Sequence, residues 1–291
     1  MKTDIKLSVL DQSPIKSGSD AYAAIQETVE LANLCDSLGY SRYWLAEHHA
    51  SDALAGCSPE VLLGRIGSET ESIRLGSGGI MLPHYSPYKV AENFKILEAL
   101  YPNRIDLGVG RAPGTDPFTA AAIRYGSQVG PEYFPNMVLD LQALLNDDDP
   151  ITPGLEKARA YPRVRNPPNL WMLGSSEDSS ALAASAGLPY NFAYFINPQI
   201  RDGIFDNYRE NFQPGPNYDS PRSVLTIFTV CADTEEEAIE LSRSRDLWFI
   251  RLLSGNPGPF PSVQEATDYS YSERERMAIE ENQSRRVVGT P

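Results

Sequence analysis

The 291-residue sequence predicts an α/β chain of the TIM (β/α)8-type barrel class, and three observations carry that expectation. Short apolar runs alternate with longer segments of helical period, which is the pattern of βαβ units and a parallel sheet. Seven such runs occur, a number that suits a barrel better than a doubly wound sheet. No internal repeat and no Ser/Gly- or Pro-rich linker divides the chain, so residues 1–291 read as one domain.

Taken in order, residues 6–10 form the first strand, and residues 20–38 an amphipathic helix with Asp20 as N-cap and Gly39 as its stop. Residues 43–46 are the second strand. Ser58 caps a helix that has Pro59 at its first position and runs to about residue 70. The third strand, residues 73–81, is interrupted by Gly76, Gly78 and Gly79. A helix over 87–100, a strand over 105–109 and a helix over 132–145 follow, and then a polar, Pro-rich stretch over 147–168. The rhythm resumes with a strand at 170–173, a helix at 178–186, a strand at 190–196, a helix around 199–212 and a strand at 224–232. Thr234 caps a helix that opens Glu235-Glu236-Glu237, acids suited to a positive dipole end. Residues 254–272 dissolve into Gly, Pro, Ser and aromatics and read as an irregular surface excursion, followed by a charged helix over 273–283. The reading finds no eighth strand before Val287-Val288-Gly289-Thr290-Pro291, so the last strand–helix unit is expected to be missing from this chain.

Composition narrows the function. Apolar residues are 41% and charged residues 22%, enough for a full core and too apolar for global disorder. The 25 basic and 39 acidic side chains give a net charge of −14, which repels phosphate backbones and argues against nucleic-acid binding. No apolar stretch approaches the roughly 18 residues of a membrane span, and the first residues do not resemble a secretory signal. Cys35, Cys57 and Cys231 are far apart and contain no CxxC pair, which fits a reducing, cytoplasmic setting.

In a parallel barrel, reactive groups gather where strands end, at the C-terminal face. The three histidines, His48, His49 and His84, all fall just after the second and third strands. Each can be a satisfied loop residue, but Glu47-His48-His49 at a strand end is a candidate catalytic cluster, because imidazole titrates near neutral pH. A metal reading through Glu47, His48 and His84 is weakened by the absence of HxH or HExxH spacing. Glycines inside a buried strand (Gly76, Gly78, Gly79) mark either a crowded barrel wall or a backbone approached by a flat ligand. Arg111, in Gly108-Val109-Gly110-Arg111-Ala112-Pro113-Gly114, is either a surface ion-pair partner or a bidentate clamp for phosphate. The hydroxyls of Ser175, Ser176, Ser179 and Ser180 stand where a helix begins, either as plain caps or as part of an anion site.

Together these residues resemble the bacterial-luciferase-like family of flavin monooxygenases. The matching segments are Tyr43-Trp44-Leu45-Ala46-Glu47-His48-His49, Leu75-Gly76-Ser77-Gly78-Gly79-Ile80-Met81-Leu82-Pro83, Tyr101-Pro102-Asn103-Arg104-Ile105-Asp106-Leu107-Gly108-Val109-Gly110-Arg111-Ala112-Pro113-Gly114-Thr115-Asp116, and Leu173-Gly174-Ser175-Ser176 followed by Ala186-Gly187-Leu188-Pro189. The resemblance is dense over residues 5–232 and looser beyond. It implies a barrel that binds FMN in its C-terminal mouth. Arg111, with Ser175, Ser176 and Ser179 or Ser180, would hold the phosphate. Gly78, Gly79 and Ile80 would back the isoalloxazine, in the family often through a non-prolyl cis peptide. His48 matches the family's catalytic histidine, with Glu47 and His49 beside it.

The implied activity is oxygenation of a small organic substrate through a flavin hydroperoxide, with reduced FMN supplied transiently by a separate NAD(P)H-dependent reductase. Residues 254–272 would form part of a lid, and a homodimer is expected. Family members generally run past Val-Gly-Thr-Pro into a further unit. A longer protein, closure by another subunit, or a degenerate relative that binds flavin without oxygenating each accounts for that difference. A deazaflavin-dependent oxidoreductase is the neighbouring alternative, and the Glu47-His48-His49 match favours FMN over it.

Overall fold

The computed structural model describes residues 5–127, 129–198, 203–255 and 257–291. Its frame is a parallel sheet of seven strands whose spatial order follows the sequence: β1 (Ser8–Asp11), β2 (Arg42–Leu45), β3 (Arg74–Met81), β4 (Ile105–Gly110), β5 (Asn169–Gly174), β6 (Tyr190–Ala193) and β7 (Ser223–Thr226). Helices cross between them: α1 (Ala21–Ser37), α2 (Pro59–Gly67), α3 (Pro87–Leu100), α4 (Pro117–Arg124), α5 (Phe134–Leu145), α6 (Glu177–Ser185) and α7 (Ile204–Glu210). This order and direction describe a nearly closed barrel, as expected from the βα rhythm. The core is continuous, from Val29 and Ala32 of α1 through Tyr43, Leu75, Leu107 and Met172 of the sheet to Phe94 and Leu141 of the outer helices.

Among the described residues the barrel sheet stops at seven strands, as the sequence predicts, but residues 286–289 form a strand that the sequence pattern did not announce. After Ile227 comes β8 (Phe228–Cys231), and β9 (Arg286–Gly289) pairs with it in parallel as a separate two-stranded sheet, Phe228 opposite Arg286. Four residues without a full apolar alternation carry little local strand signal, so this pairing is visible only in three dimensions. Between them lie α8 (Glu235–Leu253), α9 (Val263–Asp268) and α10 (Glu273–Asn282). The excursion over 254–272 therefore contains a helix, and it is tied down. The Phe260 N–H donates to the Ile15 carbonyl at 2.6 Å, the Ser17 N–H to the Phe260 carbonyl at 2.8 Å, and the Phe260 ring stacks on Trp248 at 5.6 Å. These contacts fix it beside the loop that leaves β1.

Local signals acted largely as read. Asp20 accepts the Ala23 N–H at 2.9 Å, and Gly39 takes a left-handed φ of 77° just past α1. Thr234 accepts the Glu237 N–H at 3.2 Å. Ser58 makes no side-chain cap bond, and Pro59 alone marks the start of α2. Helix α4 was not anticipated, although Asp116 caps it and Pro117 opens it. Of the helix expected around 199–212, residues 199–202 lie outside the described residues, and the rest forms α7.

The N-terminal base of the barrel holds a buried ionic cluster. The Asp106 carboxylate accepts from Arg42 Nε (2.9 Å), Arg74 Nε (3.0 Å), Arg74 Nη2 (2.6 Å) and Asn169 Nδ2 (2.8 Å). The Arg42 guanidinium also lies over the Trp171 ring at 5.0 Å. Four successive strands are thereby stitched at their starts, and a cluster at this end of a barrel serves stability rather than chemistry.

Candidate active site

The opposite, C-terminal end is built from the residues that follow β2, β3, β4 and β5. Past Leu45 the chain stays extended, with the Ala46 N–H donating to the Asp11 carbonyl at 2.9 Å. Of the next three residues two are pinned by their main chain: His48 N–H donates to the Gly56 carbonyl (2.9 Å) and His49 N–H to the Gly114 carbonyl (3.1 Å). Their side chains then take distinct places.

Glu47 is 1% exposed, yet its carboxylate is well supplied with donors. Oε1 accepts from His49 Nε2 and from the Tyr85 hydroxyl, both at 2.7 Å, and Oε2 accepts the Met81 N–H at 3.0 Å. Burial first, and then the Glu47 charge, push the Tyr85 phenol well above its ordinary value, so it stays protonated and donates. His48 points elsewhere. Its Nδ1 is buried without a hydrogen-bond partner, and burial, reinforced by nearby His49, pushes its imidazole below the ordinary value. A neutral imidazole with an unused nitrogen can accept a proton or a hydrogen bond from a guest. His84 joins the cluster: its Nε2 meets the Pro113 carbonyl at 2.6 Å, its Nδ1 is likewise buried and unpartnered, and its ring lies edge-on to His49 at 6.3 Å. Among the described residues, no group of three or more His, Cys, Asp or Glu side chains is placed to hold a metal ion.

Strand β3 carries a cis peptide between Gly78 and Gly79, with an irregular register against β4 between Gly78 and Ile80. The glycines here meet protein on at least one side. A Cβ on Gly79 would come within 2.6 Å of the Gly108 carbonyl oxygen, and one on Gly78 within 2.7 Å of Leu10. Crowding of the barrel wall thus explains why side chains are excluded at these positions, whatever lies on the exposed side of the peptide.

Arg111 follows β4 directly, is exposed, and has no hydrogen bond or ion pair to other described residues. Val109 pairs with Met172, so Arg111 stands level with Gly174 and next to the serine loop on the neighbouring strand. That loop is partly spoken for. Ser176 caps α6, accepting the Ser179 N–H at 3.4 Å, while Ser179 Oγ donates to the Ser176 carbonyl at 2.7 Å. Ser180 is fully buried and donates to the Ile204 carbonyl at 3.3 Å. Ser175 and Ser176 remain half-buried beside a cavity of about 340 Å³ that is also lined by Asn197 and Phe192, and Asn197 Nδ2 donates to the Ser175 carbonyl at 3.0 Å. The acids Glu177 and Asp178 line the same cavity.

The structure therefore brings Glu47, His49, Tyr85 and Met81 together, and sets Arg111, Ser175 and Ser176 along one rim. It turns Ser180 into the protein. Sequence reasoning missed Tyr85 and Asn197. Tyr85 adjoins His84 in the sequence, and that adjacency was the available signal.

A phosphate-bearing flavin fits these donors. A guanidinium with no partner among the described residues and two hydroxyls near a helix start suit a phosphate, and two orphaned imidazole nitrogens stand near the glycine strand. The sequence matches the luciferase-like monooxygenase family over residues 5–290. It is 44% identical over 287 residues to YceB, an uncharacterised protein of Bacillus subtilis, covering 99% of this chain and 87% of that protein. To an N-acetyl-S-alkylcysteine monooxygenase of Bacillus subtilis it is 38% identical over 287 residues, covering 98% and 85%. Among solved structures, apo-MsnO8 superposes with a TM-score of 0.87 at 40% identity, covering 99% of this chain and 85% of that one.

Proposed function

The chain belongs to the luciferase-like monooxygenase family, and from that premise we propose that it uses reduced FMN and dioxygen to oxygenate a small organic substrate. The observation that carries this reading is the meeting of complementary donors at one mouth. Arg111 with Ser175 and Ser176 offers a phosphate grip, and the strand end at Gly78–Ile80 lies beside histidines with unused nitrogens. Bound reduced flavin supplies the electrons that activate dioxygen.

The chain's own residues do the rest. Arg111, Ser175 and Ser176 hold the phosphate tail, with Ser179 shaping the cap. Gly78, Gly79 and Ile80 give the rings a backbone surface. His48, kept neutral by burial, moves a proton at its Nδ1. A separate NAD(P)H-dependent reductase delivers the reduced flavin, and the protein works as a homodimer.

Titration of purified protein with reduced and with oxidised FMN, alongside an oxygen electrode and mass spectrometry under ¹⁸O₂, tests the reading. A substrate panel begins with N-acetyl-S-alkylcysteines, given the relative that acts on them. The expected result is tighter binding of reduced FMN and label in a product. Flavin binding without oxygen consumption across the panel would recast the protein as a flavin carrier, and no affinity for either form would overturn the reading.

A further inference from the structure

The Glu47 carboxylate gathers donors from three separate places: His49 after β2, the Met81 main chain at the end of β3, and Tyr85 in the turn beyond it. Tyr85 and His49 share one oxygen, and the phenol oxygen stands only 3.4 Å from His49 Nε2. A carboxylate accepts and does not donate, so His49 must present an Nε2 proton to it. The His49 main chain is held independently, through its N–H to Gly114 and its carbonyl from Thr115 Oγ1 at 3.2 Å, but its ring has Glu47 as its closest hydrogen-bond anchor. With its side chain 15% exposed, the ring has room to turn outward once that anchor weakens.

We propose that Tyr85 is a positioning residue: through Glu47 it locks His49 in the Nε2-protonated tautomer and couples that imidazole to the β3 main chain immediately after Gly78–Gly79–Ile80. Its purpose rests on the flavin reading, whereas its geometry does not. Two consequences link it to the chemistry. His49 is the neighbour whose ring bears on His48, so a His49 ring that turns away changes the surroundings of the proton-handling imidazole. Met81 closes the glycine segment, so a slack Glu47 loosens the surface on which the flavin rings would lie. Tyr85 stays a donor because its phenol does not ionise in the working range.

Tyr85→Phe keeps the ring that packs edge-on against His84 at 6.1 Å and removes only the hydroxyl. ¹⁵N–¹H NMR of the flavin-free protein, with histidine nitrogens labelled, reads the tautomer directly. Wild-type protein is expected to show His49 with its proton on Nε2 and slow to exchange. In Tyr85→Phe that proton should exchange about tenfold faster, the change one lost hydrogen bond produces, with the Nδ1-protonated form becoming visible. Circular dichroism should be unchanged and reduced FMN should bind about tenfold more weakly, for the same reason.

His49 protonated on Nδ1 in the wild type would overturn the proposal without any variant, as would an unaltered His49 signal in a folded Tyr85→Phe. Should Tyr85→Phe fail to fold, exchange of the wild-type Tyr85 hydroxyl proton decides instead: slow exchange upholds its bond to Glu47, and exchange as fast as that of an exposed tyrosine overturns the proposal. A wild-type protein that shows the expected tautomer and its loss in Tyr85→Phe, yet takes up no FMN, upholds the positioning and defeats the flavin reading instead.

Discussion

The two ends of this barrel each hold a saturated buried carboxylate but surround it with different company. At the base, Asp106 is surrounded by four donors from Arg42, Arg74 and Asn169, and its charge is matched within the protein. At the mouth, Glu47 is similarly saturated, but it stands among imidazoles whose Nδ1 atoms, on His48 and His84, have no partner. A buried nitrogen without a hydrogen bond costs about 1–3 kcal/mol, and a fold tolerates that where a guest is to supply the bond. The Asp106 carboxylate is finished without a ligand, although the Trp171 indole N–H and the Tyr218 hydroxyl near it have no partner among the described residues; the mouth differs in that its unpartnered atoms are imidazole nitrogens, which can take or give a proton. Stability and chemistry are therefore separable by mutation along one set of strands.

The largest effect belongs to the base. Asp106→Ala removes the carboxylate that the Arg42 and Arg74 guanidiniums share, leaving Arg74 only the influence of Glu98, and breaking a buried pair in this way costs about 3–5 kcal/mol. Urea denaturation should show that loss, while the fraction that remains folded binds FMN as the wild type does. A stable Asp106→Ala protein with its flavin affinity gone would reverse the roles assigned to the two ends.

Next comes His48→Ala, which removes an orphaned nitrogen and so should leave the urea midpoint and FMN affinity close to wild type. Turnover should fall by about 10²–10⁴, the usual share of a positioned acid–base group. Unchanged turnover in an oxygen-uptake assay takes His48 out of the mechanism. Arg111→Ala is smaller. Losing one charged hydrogen-bonding group should weaken FMN by about 10- to 100-fold while riboflavin, lacking the phosphate, binds as before. Equal losses for the two ligands in parallel fluorescence titrations would remove Arg111 from the phosphate site.

How much of this contrast the sequence made legible depended on how local each feature was. The βα rhythm, the Asp20 and Thr234 caps and the placement of Glu47-His48-His49 at a strand end all followed from short-range patterns. The Gly76–Gly79 cluster was visible as an anomaly, but its contacts with Leu10, Trp44 and the Gly108 carbonyl depend on neighbouring strands. Tyr85 reaches Glu47 across 38 residues, and β9 exists through its pairing with β8, 58 residues away at Phe228 and Arg286. Neither leaves a mark in periodicity. The serines show the converse problem: a capping serine and a phosphate-binding serine look the same until Ser180 is seen donating to Ile204 inside the protein.

The smallest expected effect is the most direct measure of the mouth's unfinished state. Burial holds His48 below its ordinary value of 6.5 in the folded protein, whereas unfolding returns it to that value. Over the window between the two, the unfolded chain binds the extra proton, so stability falls as pH drops through 6.5 and levels out only below the folded value. His48→Gln, which cannot titrate, should therefore lose less stability than wild type on going from neutral to mildly acidic pH. Urea midpoints measured along that range would give the two slopes. A steeper or identical acid limb in His48→Gln would mean that His48 already carries a compensating partner when folded, and the reading of the mouth's imidazoles as open to a guest would lose its clearest chemical evidence.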